Sequence, residues 1–275
     1  MTAVKGKVII AAVLAVALVS TLVVGSDMVA SYLERLTLSS TTLAKPQVLQ
    51  PGFGVTYALD PMLVINETAV DPDDPCDVGL NGWIGRGGVY SWRVESLDGS
   101  DAVLRVDLNL CVEDAYVQTR HWLNRTEYIN VDVETRQATS ANGTNLGTIN
   151  YWISPDVHEG DTVSIYGKPP YEMREKIRSA PSNPLQIAAG NFDCWTTLSF
   201  TRPDIPELSG HLYLWFDKGT GILVAASGFF YYDVVMMTMG IEAIEIIGSW
   251  GYSGGSISSQ PTTFVLQSQG TSPLI

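Results

Sequence analysis

Four aspartates crowd into one short stretch of the chain, Asp71, Asp73, Asp74 and Asp77 in the run DPDDPCD. Carboxylate oxygens this close together are the hard ligands that calcium takes. An EF-hand loop also needs a glycine at its sixth position and a glutamate at its twelfth. Counted from Asp71, those positions hold Cys76 and Gly82, and Pro72 and Pro75 stiffen the loop. A calcium site on the four aspartates and a plain solvated acidic loop both fit the sequence. Calcium is the only cofactor it suggests. The three histidines, His121, His158 and His211, lie far apart without a zinc-like spacing. There is no G-x-S-x-G elbow and no C-x-x-C pair, so the sequence marks no catalytic residue and we infer no enzyme.

The cysteines number three, Cys76, Cys111 and Cys194, so at least one is unpaired. Parity along a strand assigns them. Cys111 alternates with apolar neighbours and falls on a polar face. Cys194 shares parity with Phe192, Leu198 and Phe200 and should point inward. A cysteine in the loop around Asp77 reaches an outward-facing thiol more easily than a buried one. The expected disulfide is therefore Cys76–Cys111, with Cys194 buried and inert. Three N-x-T sequons, at Asn66, Asn124 and Asn142, fall in expected loops or strand ends and mark glycosylation sites on an exported chain.

Export itself is written at the N-terminus. Lys5 and Lys7 precede the uncharged run Val8–Val24. As a helix, its roughly 17 residues rise about 25 Å, close to the hydrocarbon thickness of a bilayer. The preceding lysines place the N-terminus in the cytoplasm and the rest outside, by the positive-inside bias. Val24-Gly25-Ser26 is an acceptable signal-cleavage site, so the segment reads as an uncleaved anchor or a cleaved signal. The formal net charge is −13, with 29 acidic and 16 basic residues. That balance repels phosphate backbones and argues against a nucleic-acid partner.

The elements that would position these groups are strands. Leu104, Val106, Leu108, Leu110 and Val112 share one face, and Arg105, Asp107, Asn109 and Cys111 the other. Ile129, Val131 and Val133 alternate with Asn130, Asp132 and Glu134. This period of two describes half-buried antiparallel strands. Asp98-Gly99-Ser100, Asn142-Gly143 and Glu159-Gly160-Asp161 supply turns between them. The run from His211 to Tyr232 reads as two strands around DKGTG, and Met236–Trp250 as a buried strand pair or a core helix, with its glycines favouring strands. Pro169, Pro170 and Pro181 bracket an expected short helix over Tyr171–Ser179. The expected fold is all-β: an antiparallel meander forming a sandwich or a curved, partly open barrel, preceded by one N-terminal transmembrane helix. Residues 1–38 form the anchor or signal helix, 39–51 a stalk, 52–250 the extracellular β domain, and 251–275 a flexible tail or a strand lent to a neighbour's sheet edge. The seven tryptophans would be core, or would line an apolar trough for a hydrophobic ligand if the sheet stays open.

Two phrases, YWISPDVHEGDTVSIYG (Tyr151–Gly167) and YLWFDKGTGILVAASG (Tyr213–Gly228), resemble a group of exported archaeal proteins of unknown function. In that group a W-I-x-P…G-D-x-V strand pair precedes a D-K-x-T-G-x-L hairpin. The resemblance implies an archaeal envelope protein and carries over no site residue. The Lys5-Gly6 pair before the apolar run, with Met28, Val29, Tyr32, Leu33 and Leu36 in helical rhythm, also resembles the leader of archaeal type IV pilin-like proteins. That implies cleavage after Gly6 and self-assembly. The sequence thus points to a membrane-anchored surface protein with a structural or binding role, whose partners are the lipid bilayer through Val8–Val24, copies of itself or another envelope protein, or a hydrophobic ligand.

Overall fold

The alternation written into residues 103–112 reappears as burial. Ala102, Leu104, Val106, Leu108, Leu110 and Val112 are all 2% exposed or less, while the odd-numbered residues between them face outward. The computed structural model describes residues 45–59, 62–66, 83–114, 119–166, 173–180, 183–197, 200–201, 209–229, 237–241, 244–247 and 264–271. These are all-β, with no helix among them. The strands are β1 (Gly54–Leu59), β2 (Met62–Asn66), β3 (Trp83–Asp98), β4 (Asp101–Asp114), β5 (Arg120–Asp132), β6 (Gln137–Ser140) and β7 (Asn145–Thr148). Next come β8 (Thr162–Tyr166), β9 (Met173–Lys176), β10 (Arg178–Ser179), β11 (Leu185–Ile187), β12 (Gly190–Phe192), β13 (Cys194–Thr196) and β14 (Phe200–Thr201). The last are β15 (Ser209–Asp217), β16 (Leu223–Phe229), β17 (Met237–Ile241), β18 (Ile244–Ile247) and β19 (Phe264–Gly270).

One large antiparallel sheet runs in the order β10-β13-β15-β16-β19-β1-β3-β4-β5-β6-β7. Tight turns join β3 to β4 at Gly99 and β6 to β7 at Gly143, where the sequence asked for them, with both glycines at positive φ. A branch leaves it at β3, which pairs β1 through Gly88–Arg93 and β2 through Trp83–Gly85 along one edge. β2 then carries β18, and β18 carries β17. The branch point is a bulge opposite β4 between Gly85 and Gly88. A β-carbon on Gly88 would lie 2.2 Å from the Asn109 carbonyl oxygen, so only glycine allows the two backbones this approach.

After β7 the chain returns to the far side of the sheet. Ile153 N donates to Gly221 O, Leu223 N donates to Tyr151 O, and Trp152 bridges Ile222. The two phrases singled out in the sequence are therefore partners in space. Gly221 sits at φ +75°, and a β-carbon there would come within 2.4 Å of Ile153 O. The sheet thus folds back around one core, in keeping with a sandwich. At its centre Trp92 stacks nearly parallel on Tyr151 with centroids 5.4 Å apart, and Tyr57 and Tyr90 set their rings edge-on to Phe264.

Two expectations need correction. The described part of the Tyr171–Ser179 helix is instead β9 and β10. Met173–Lys176 pairs with β8, and Ile177 between the strands is fully buried, so the period of two prevails over the proline brackets. The 251–275 tail is not loose over Phe264–Gly270. That segment is β19, inserted between β16 and β1 with Phe264 and Leu266 buried, so it completes the chain's own sheet and not a neighbour's. Met236–Trp250 contains the β17–β18 strand pair. The Val8–Val24 segment lies outside the described residues, among which no helix is long and apolar enough to cross a membrane.

Candidate functional site

Strands β3, β4 and β5 run side by side, and their register lays out the outer face residue by residue. Cys111 stands opposite Trp122, Asn109 opposite Asn124, Asp107 opposite Thr126, and Arg105 opposite Tyr128. Val89 and Ser91 of β3 extend the Asn109 and Asp107 rows. Trp122 is 61% exposed and Tyr128 50%, which is high for aromatic side chains on a sheet. Between them lies a depression of about 320 Å³ lined by Ser91, Asp107, Asn109, Asn124, Arg125 and Thr126 among others. Its carboxylate is already engaged: Asp107 accepts from Arg105 and, at 2.6 Å, from Thr126 Oγ1. The face therefore offers an indole, amides and hydroxyls, which suits neutral polar groups with an apolar side.

At one end of this face Glu113 is clamped by two arginines. Arg86 reaches it through both Nε and Nη2, at 3.1 and 2.7 Å, and Arg120 Nε lies 2.5 Å from Oε2. The hydrogen bonds from Arg86 and then Arg120 hold its carboxyl well below the usual range, at about 2. The three residues come from β3, β4 and β5, so the cluster ties these strands together where the bulge would otherwise loosen them.

A second cation is inside the protein. Arg136 is 4% exposed and takes positive φ, at the end of a turn in which the Asp132 carboxylate accepts the Glu134 and Thr135 backbone N–H groups. Its guanidinium donates to the carbonyls of Ile149, Trp152 and Ser164 and to Asn150 Oδ1. No carboxylate is among these partners, and burial lowers its pKa to about 10, which leaves it charged at neutral pH. Arg136 thus holds down the segment that crosses from β7 to β16, helped by Asn150 Nδ2 on Ile165 O and Trp152 Nε1 on Val133 O. The buried phenols are likewise structural. Tyr90 and Tyr151 share a short hydrogen bond, Tyr57 donates to Leu223 O at 3.0 Å, and burial pushes all three upward.

Neither charge cluster was legible in the sequence. Arg136 looks like a solvated turn residue, and Arg86, Glu113 and Arg120 become neighbours only through strand register. The sequence-derived sites fare unevenly. Asp71, Asp73, Asp74, Asp77 and Cys76 lie outside the described residues. Among the described residues no group of three acidic, histidine or cysteine side chains could hold a metal. Cys111 is a half-buried free thiol on the outer face, and Cys194 is a free thiol within the core as its parity required, pushed up to about 12 by burial. Asn66 ends β2 and pairs with Ile244. Asn124 is exposed on β5, and Asn142 occupies a turn where its Oδ1 accepts from Thr144. The histidines do not converge. His121 is exposed on β5, His158 sits in a turn with its backbone N–H on Asp161, and His211 lies on β15. Of the tryptophans, Trp92 and Trp152 are core, and Trp195 lies under Lys218 Nζ at 4.3 Å. No protein-family model, no curated protein and no solved structure matches this chain.

Proposed function

We propose that this chain is a membrane-anchored cell-surface protein whose β domain has a structural or binding role, held to the bilayer through Val8–Val24 with Lys5 and Lys7 on the cytoplasmic side. The observation that carries this reading is the use of the polar groups. Arg136, Asn150 and the three phenols are engaged with the protein's own backbone and with each other, and the Glu113 cluster binds strands together. Each has a role in stability without a substrate. The hydrophobic-carrier alternative is weakened because two of the tryptophans that would line a trough, Trp92 and Trp152, pack on each other and on Tyr151. The three sequons and an acidic composition accord with an exported domain. An archaeal source belongs to the same reading as a resemblance, and filament assembly through a processed first helix is its alternative.

The test is intact mass and N-terminal sequencing of protein from its native membrane. A chain starting at Met1 or Thr2 that stays with the membrane after alkaline washing supports the anchored protein. A start at Lys7 replaces it with the filament subunit, and a start near Asp27 with a secreted domain.

A further inference from the structure

We infer that Asn124 carries an N-linked saccharide that lies on the outer face of β5, one sugar ring resting on the Trp122 indole. The inference rests on the export proposed above. Asn124 heads the sequon Asn124-Arg125-Thr126, its side chain is exposed, and none of the described hydrogen bonds uses its carboxamide. Trp122, two residues earlier on the same strand, projects from the same face. Side chains so related stand roughly 7 Å apart, about the width of a sugar ring. The indole is 61% exposed near the start of β5, beyond the stretch that β6 pairs, so its face is open to a ligand. Its electron-rich face attracts the positively polarised C–H edges of a sugar ring. On the other side of Asn124 the depression, lined also by Val89 and Leu108, offers Ser91 and Asn109 to sugar hydroxyls. Indole, attachment point and polar floor thus lie together, and this alignment is absent at Asn142, whose carboxamide oxygen is engaged in its own turn.

The bond formed joins Asn124 Nδ2 to the anomeric carbon of a saccharide delivered as a lipid-linked phosphate ester. The bond from that carbon to the phosphate oxygen breaks, the phosphate leaves as the anion, and one amide proton passes to base. In the folded protein Asn124 is fixed opposite Asn109 and Thr126 Oγ1 is held by Asp107. The transferase therefore acts before β5 docks on β4.

The experiment is mass spectrometry of the peptide spanning Asn124 from protein purified out of its native membrane, with acrylamide quenching of tryptophan fluorescence. The expected result is a saccharide mass on Asn124, lost in Asn124→Gln and in Thr126→Ala. Quenching should rise when the saccharide is absent, and the rise should vanish in Trp122→Phe. An unmodified Asn124 in protein whose domain is accessible to protease from outside the cell overturns the inference and leaves export standing. So does a saccharide at Asn142 or Asn66 alone. A saccharide on Asn124 whose removal leaves quenching unchanged overturns the stacking on Trp122. A domain protected inside the cytoplasm, unmodified at all three sequons, overturns both this inference and the export it rests on.

Discussion

β4 and β5 pair residue for residue, from Asp101 opposite Asp132 to Glu113 opposite Arg120, yet they bury very different side chains. On β4 every even-numbered residue from Ala102 to Val112 is inside. On β5 the inward positions include Leu123, Ile129 and Val131, which are buried, but also His121 and Arg125, which are exposed. β4 has a long partner on each side, whereas β5 is paired by β6 only through Ile129–Val131. Apolar alternation therefore records the layer that covers a strand more than the strand itself.

The largest effect expected from this contrast is on β4. Leu104→Ala should cost about 3 kcal/mol in a denaturant titration, within the usual range for a fully buried leucine. If it costs no more than a substitution on the outer face of β5, the contrast is wrong. Next comes the turn that leaves β5. Arg136→Met removes the donor shared by Ile149, Trp152 and Ser164 and should destabilise by about 2 kcal/mol, since buried carbonyls lose their partners. Hydrogen exchange should show the Tyr151–Ile153 segment opening first.

The junction of the two strands responds to acid. The folded-state pKa of Glu113, about 2, lies below its ordinary 4.5. Its contribution is present above about pH 4.5 and is lost as pH falls toward 2. Thermal melts across that window should show Glu113→Gln losing part of the wild type's acid sensitivity, with the variant less stable at neutral pH. The smallest effect is expected on the outer face, where Trp122→Ala in unglycosylated protein should change stability by no more than about 0.5 kcal/mol.

The strand content was legible because period-two patterning survives wherever one face is covered. β4, the end of β5 and the hairpin around DKGTG follow directly from it, and so does the inward direction of Cys194. The β9–β10 segment was misread because proline brackets outweighed a short alternation, Met173, Glu175 and Ile177, that only pairing with β8 makes decisive. β19 was misread because Ser268 and Gly270 look like tail residues, although they sit opposite Thr56 and Gly54 in the sheet. The Arg136 clamp had no signal at all, since buried carbonyls are invisible in a sequence.

β19 also sets the order in which the fold can form. β1 lies near the start of the described chain, and its partner across one whole edge lies near the other end. A polypeptide made from its N-terminus presents β1 and β3 long before Phe264–Gly270 emerges. Until then β1 is an open edge, the kind that recruits foreign strands. The high contact order of this closure makes it a slow step. Closure of the sheet thus waits on the last described strand, and a chain clipped before Phe264 leaves this edge of β1 unpaired.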